Sequence, residues 1–448
     1  MELIAPIDAV FLLAESREQP MHVGSVQIFE PPEGIGREFA QSIHAHLLDC
    51  DDVQPRFRKR PATIFGAPRA AWTYDDHADL SYHVRRVGLP TPGGREQLLD
   101  LVSGLHGALL DRHHPLWEFH LIEGLDDGRF AMYSKMHHAL IDGVTAQRLL
   151  QRTLSLDPAE PGHVPWNVPR REKGTEPKGG GLLGAARELA SMAAGPTLAR
   201  LVGKTVLKQQ VAMPFDAPRT MFNVPIGGAR RIAARSWPLE RLQQVRKATG
   251  ATMNDVVLAM SAGAVRSYLL EHDALPDKPL IAMVPMSLRA PGEADTEGVK
   301  VGAMLCNLGT DQTDPVQRLQ VISESMRASK AAYDSLSAIQ AMAVSALMLS
   351  PLAVTLVPGL IPWTSPPFNL VISNVPGTRK PLYWNGARLD AAYPLSIPFD
   401  GQAMNITLAG TGDNLDFGLV ACRRTVPDLD TLLDHLENAL AELEHATA

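Results

Sequence analysis

Cysteine is scarce. Only Cys50, Cys306 and Cys422 occur, far apart and without a CxxC pair. That argues against a disulfide framework and a thiolate zinc site, and it fits a reducing cytosol. Basic excess is absent too: 42 Lys+Arg stand against 49 Asp+Glu, a net charge of −7 over 448 residues, so nothing points to nucleic acid as a partner. The N-terminus, MELIAPIDAVFLLAESREQ, has no basic leader and mixes acids with apolar residues, so no signal peptide is expected. There is no GxSxG elbow, no P-loop and no GxGxxG after a strand. From Ser335 to Thr378 there is no charge at all. That stretch is long enough for a membrane span. Pro351, Pro358 and Pro362 argue instead for buried or tunnel-lining structure, with an interfacial helix as the second reading.

The chain's length suggests two domains. Strand-like and helix-like segments alternate in both halves, which gives an α/β class. Trp117 to Leu125 and Arg129 to Met136 read as hairpin arms around the turn signal Asp127-Gly128, followed by a helix from Val144 to Leu154. Residues 157–184 are dense in Pro, Gly and basic residues and read as a linker or mobile loop, with a weakly helical crossover from Leu182 to Gln210. The expected division is therefore 1–158, a linker at 159–228, and 229–448. In the second half a helix stops at Gly250. Thr252 to Asp255 resembles a capping box before the helix Val256 to Leu270, KPLIAMVPMSL reads as a buried strand, and Leu429 to Leu443 as an amphipathic helix.

The chemistry-bearing stretch is MYSKMHHALIDG, 132–143. On an extended strand Phe130, Met132, Ser134, Met136 and His138 share one face, and Ala131, Tyr133, Lys135 and His137 the other. The first set is the more apolar, so His138 is expected to face the interior or a cleft, and His137 to point away. Two imidazoles so separated do not converge on one metal, and no HExxH accompanies them. Two readings stay open on spacing alone. His138 is a general base in a water-poor cleft, one ring nitrogen free and the other held; or the pair is a satisfied element of the core. Asp142-Gly143 has the chemistry of a strand-to-helix turn, an N-cap carboxylate and a flexible residue. The second doublet, His113-His114 before Pro115, reads as surface structure.

His137-His138-Ala-Leu-Ile-Asp142-Gly143 resembles the HHxxxDG motif of the coenzyme-A-dependent acyltransferase superfamily, which includes chloramphenicol acetyltransferase, nonribosomal-peptide condensation domains and plant alcohol acyltransferases. Further segments, in order along nearly the whole chain, resemble the bacterial wax ester synthase/acyl-CoA:diacylglycerol acyltransferase family. They are Pro6-Ile-Asp8 through Leu12, Pro20-Met21-His22-Val23-Gly24, Pro115-Leu116-Trp117, Asn254-Asp255, Ser373-Asn374-Val375-Pro376-Gly377, Leu415-Asp416-Phe417-Gly418 and Val426-Pro427-Asp428. Ala5 departs from the Ser or His that often precedes Pro-x-Asp.

The resemblance implies two chloramphenicol-acetyltransferase-like domains with a tunnel between them and His138 at its middle. It implies an O-acyltransferase in which acyl-CoA is co-substrate, with no metal and no resident cofactor, acting on diacylglycerol and also on fatty alcohols. His138 is the implied base, His137 orients, Asp142 is structural and held by an arginine, and Gly143 permits the turn. Asn254, Asn374 and Ser373 are candidates for substrate contact, with helix and turn capping as the competing role for the two asparagines. Arg56, Arg58, Lys59 and Arg60 are available for the CoA phosphates, although such a run is more often a solvated face. Residues 342–363 would supply the wall of an acyl channel or its membrane-facing mouth. The expected location is cytoplasmic, with peripheral contact at the inner membrane or lipid inclusions. The competing functions are acyl transfer to a polyketide or peptide, and a non-enzymatic lipid-droplet coat.

Overall fold

The computed structural model describes residues 2–34, 38–64, 67–168, 216–287, 301–334 and 365–448. The crossover at 182–210, much of the linker, and the uncharged stretch up to residue 364 lie outside the described residues.

Two six-stranded mixed sheets form the frame. The first runs in the order Tyr383–Trp384, Ala387–Leu395, His22–Glu30, Phe130–His137, Trp117–Glu123, Val84–Gly88. The second runs Val301–Asn307, Ile281–Ser287, Leu370–Thr378, Met404–Thr411, Asn414–Cys422, Arg230–Pro238. A three-stranded sheet, Glu2–Leu3, Ala67–Tyr74 and Lys59–Ile64, completes the first half.

Strand alternation decides what each face covers. In the second sheet Ala282, Val284, Met304, Cys306, Leu370 and Ile372 bury against the helices Leu239–Thr249, Met253–Glu271, Pro315–Asp334 and Thr431–Thr447. The intervening Ile281, Met283, Ala303, Leu305 and Val371 join a core with Met21, Val23, Met132 and Met136 of the first sheet. The interface between the sheets is thus a continuous apolar layer.

Division along the sequence is less clean than the expected boundary at 229. Residues 383–395 leave the second half and become two strands of the first sheet, with Ala387–Leu395 antiparallel to His22–Glu30. The LDFG segment makes this crossing possible. A register irregularity between Leu389 and Ala391 precedes the freed Ala392 N–H, which donates to Asp416 at 2.7 Å. Gly418 sits where a Cβ would fall 2.1 Å from the Pro394 carbonyl oxygen, so only glycine lets the two backbones meet.

The local readings hold in their main features. The hairpin arms are Trp117–Glu123 and Phe130–His137, with Gly128 at φ +82° in the turn. Gly250 ends its helix at φ +71°, and Thr252 and Asp255 form a reciprocal capping box. The linker reading fails from 157 to 168. Trp166 is fully buried there, stacks on Trp117 and donates its indole N–H to the Cys50 carbonyl at 2.8 Å. One buried tryptophan outweighs the turn-rich composition around it.

Candidate active site

The strand Phe130–His137 carries the site, and its two faces differ sharply. Val23, Ser25, Ser134, Met136 and His138 line a cavity of ≈ 190 Å³ whose far wall is Met283, Ala303, Val371, Ser373 and Val375 of the second sheet. The cavity lies between the sheets and is mostly apolar, with polar groups from Ser373, Asn405 and Thr407. Thr407 Oγ1 donates to Asn405 Oδ1 at 2.7 Å, which fixes that amide.

His138 is held from three directions. Its backbone N–H donates to the Met21 carbonyl at 2.8 Å. Its ring stacks on Phe11, centroids 3.9 Å apart. Its own main-chain carbonyl lies beside the ring. Burial pushes its pKa down to about 4; the Asp142 charge and that carbonyl oppose the shift, and His137 adds to it. The imidazole is therefore neutral at neutral pH, the state a base requires.

His137 lies on the opposite face, fully buried. Its Nδ1 accepts the Ala139 N–H at 3.0 Å, so the ring proton sits on Nε2, 3.2 Å from Glu15 Oε1 and off the ideal hydrogen-bond axis. Glu15 also pairs with Arg112 at 2.8 Å and accepts the Met21 N–H at 3.3 Å. Burial alone would raise the Glu15 pKa; its contacts with His137 and Arg112 outweigh that and hold the carboxyl below its usual value. Met21 thus links the two histidines: its N–H meets Glu15 behind one, its carbonyl holds the other.

Asp142 is the N-cap of the helix Gly143–Arg152, accepting from Thr145 N at 2.9 Å and Thr145 Oγ1 at 2.7 Å. Gly143 is the first helical residue and lines the cavity. Arg56 carries a charge that Asp142 stabilises against burial. Asp8 faces the same group, and burial followed by the Asp142 charge raises its pKa to about 6, against the pull of Lys59.

The candidate substrate contacts separate. Ser373 lines the cavity, whereas Asn374 follows Ile372 onto the helix-covered face, and Asn254 lies in the first turn of Met253–Glu271 beside the capping box. The basic run is dispersed: Arg58 pairs with Asp76, Lys59 with Glu2 at 2.9 Å, and Arg56 faces Asp142. His114 stacks on Tyr82 at 3.9 Å near the surface. Among the described residues no group of three or more metal-ligating side chains occurs. Sequence reasoning missed Phe11, Glu15, Arg112, Asn405 and Thr407. Two of them, Glu15 and Arg112, have no local pattern to mark them.

Family models for the wax ester synthase/diacylglycerol acyltransferase catalytic domain and the WS/DGAT C-terminal domain match residues 4–257 and 297–444. The chain belongs to the wax ester synthase/diacylglycerol acyltransferase family. It is an O-acyltransferase of that family. A probable diacylglycerol O-acyltransferase, tgs2, of Mycobacterium tuberculosis is 55% identical over 100% of this chain and 99% of its own. A second, putative diacylglycerol O-acyltransferase of the same organism is 52% identical over 99% of each. Among solved structures, the wax ester synthase/diacylglycerol acyltransferase from Marinobacter aquaeolei VT8 matches with TM-score 0.81 and 41% identity over all of both chains. A condensation domain of the calcium-dependent antibiotic synthetase, at TM-score 0.60 and 16% identity, covering 100% of this chain and 97% of its own, shares the fold.

Proposed function

We propose that this acyltransferase moves a long-chain acyl group from acyl-CoA to the free hydroxyl of diacylglycerol, and to fatty alcohols as second acceptors, with His138 as the base. The observation that carries the reading is a neutral, anchored imidazole opening onto an apolar cavity between the sheets. The free ring nitrogen takes the proton of the acceptor hydroxyl while the oxygen attacks the thioester carbonyl. The tetrahedral oxyanion collapses, the C–S bond breaks, and the imidazolium returns the proton to the leaving thiolate. Products are the ester and free CoA, and the chain supplies no covalent intermediate. Base catalysis of this kind contributes about 10²–10⁴-fold; positioning in the cavity supplies further acceleration.

Names of the relatives and the family models support diacylglycerol as acceptor. Both substrates are lipids, so contact with a lipid surface belongs to this reading. Among the described residues no helix is long and apolar enough to cross a membrane. The condensation-domain likeness motivates the second reading, a polyketide or peptide acceptor supplied through a carrier protein.

One assay separates them. Labelled palmitoyl-CoA is offered with diacylglycerol and with hexadecanol, and products are resolved by thin-layer chromatography. Triacylglycerol forming with release of free CoA is the expected result, and His138→Ala abolishes it. Full activity of that variant, or turnover only from a carrier-bound donor, defeats the proposal.

A further inference from the structure

The cavity wall opposite His138 carries a donor that the folded chain itself does not use. Asn405 lies on Met404–Thr411, an internal strand whose ladders to Leu370–Thr378 and Asn414–Cys422 take up its main-chain groups. Asparagine is disfavoured in strands, and this one is 2% exposed. Its neighbours Met404 and Ile406 turn to the helix-covered core. Asn405 and Thr407 turn the other way and line the cavity. Oδ1 accepts the Thr407 hydroxyl at 2.7 Å. That bond directs the amide oxygen along the strand and leaves Nδ2 for the cavity. Among the described residues Nδ2 has no acceptor. A buried donor without a partner opposes folding, so a position like this one suits an acceptor that arrives with the substrate.

The reaction fixes which substrate atom that is. His138 takes a proton from the attacking hydroxyl and returns one to the leaving thiolate, so both of those atoms face the imidazole. They occupy two corners of the tetrahedral intermediate. The other two corners, the oxyanion and the acyl chain, point away from His138 toward the second sheet. Sheets packed face to face stand about 10 Å apart, so a carbon held against His138 has its remaining substituents directed at the far wall. For the chain that wall offers apolar surface from Met283, Ala303 and Val371. For a developing negative charge it offers Ser373, Asn405 and Thr407. Thr407 has committed its proton to Asn405. The cavity's other polar groups, Ser25, Ser134 and Gln147 among them, belong to the side that carries His138. An amide N–H oriented before the reaction is the kind of donor that stabilises an oxyanion.

We propose that Asn405 is a further catalytic residue, its Nδ2 donating to the thioester carbonyl oxygen as that oxygen becomes the oxyanion, and that Thr407 is a positioning residue that locks the amide in the donating orientation. The proposal rests on the acyl-transfer reading above. Charge enters the carbonyl oxygen as the new C–O bond forms and leaves it as the C–S bond breaks; no proton passes to or from Asn405. The carbonyl belongs to the acyl donor, so the contribution is the same for every acceptor.

Steady-state kinetics of the full chain with palmitoyl-CoA, against diacylglycerol and against hexadecanol, test it at a temperature well below the thermal midpoint. Asn405→Leu nearly keeps the size and removes the donor. A loss of about 10²–10³-fold in kcat is expected. The factor should be the same with both acceptors, KM for each substrate should change little, and the acid limb of the pH profile should stay in place because His138 still handles the proton. Thr407→Val should lose less than Asn405→Leu, and Thr407→Ser, which keeps the hydroxyl, should retain kcat. The thermal midpoint is read on Asn405→Leu/Thr407→Val, which removes both partners of the bond, and should not fall. An amide with only a structural role gives the reverse pattern, a lowered midpoint with kcat retained, and that result overturns the proposal. So does a loss confined to one acceptor or to its KM, which would make Asn405 an acceptor contact. If the unmodified protein releases CoA only with an alcohol other than these two, the functional reading falls, and the kcat ratio measured with that alcohol still decides the role of Asn405.

Discussion

The strand Phe130–His137 separates two environments that share one backbone. On its cavity face Met132, Ser134 and Met136 lead to a neutral His138. On its rear face Tyr133, Lys135 and His137 enter a buried polar layer. Lys135, 1% exposed, pairs with Glu118 at 3.3 Å and donates to the carbonyls of Leu105 and Ala108. Tyr133 bonds to His106, and His22 to the His106 carbonyl, each at 2.8 Å. The contrast amounts to a division of labour. Ionic groups buried together specify geometry at a cost in desolvation, whereas an apolar face keeps a base unprotonated. Adjacent histidines can do both because strand alternation sends them to opposite sides.

The largest effect is expected from removing the rear support. Glu15→Ala strands the partly buried Arg112 and frees the Met21 N–H together with the His137 ring. A loss of about 2–4 kcal/mol is expected, below the full buried-pair range because a third of Arg112 reaches solvent. Chemical denaturation measures it, and a change within error would show that the layer is passive.

Acid sharpens the same contrast. Burial lowers the pKa of His138 to about 4, of His83 to about 4 and of His106 to about 3, and that of His22 well below 6.5. The unfolded chain then binds more protons than the folded one below pH 6.5, so stability falls as pH drops from 6.5 toward 4. Glu118, held near 2 where Lys135, Arg85 and His120 outweigh burial, adds its own loss only between about pH 4.5 and 2. Activity that requires neutral His138 should keep its plateau to well below pH 6 in kcat/KM. An acid limb centred on 6.5 would mean an exposed, ordinary imidazole.

A smaller effect distinguishes a cap from a relay. Asp142→Ala removes two acceptors at the helix start and should cost about 1 kcal/mol. Asp142→Asn keeps a capping oxygen and should retain most of both stability and kcat. If the Asp142→Asn variant is as inactive as a His138 variant, the carboxylate takes part in proton transfer.

Much of this site is legible because its signals are local. Period-two alternation assigns Met136 and His138 to one face without any tertiary knowledge, and Asp142-Gly143 announces a helix start by its chemistry. The hairpin and the Thr252–Asp255 box are equally short-range. What the sequence conceals is long-range. Nothing near Glu15 announces Arg112 or His137, each about a hundred residues on. Asp416 and Gly418 read as a family motif, but their purpose appears only when Ala392 and Pro394 arrive from a strand that has changed sheets. Asn374 looks like its neighbour Ser373 in sequence, yet one step along a strand puts it on the other side.

The division of roles between the two histidines is tested by comparing them in one experiment. Release of CoA from palmitoyl-CoA in the presence of diacylglycerol, and the thermal midpoint, are measured for His138→Ala and His137→Gln. For His138→Ala the expected result is a loss of about 10²-fold or more in kcat with an unchanged midpoint. For His137→Gln it is a lowered midpoint with a far smaller loss in kcat. Equal loss of activity in both, or an active His138→Ala, would refute that division.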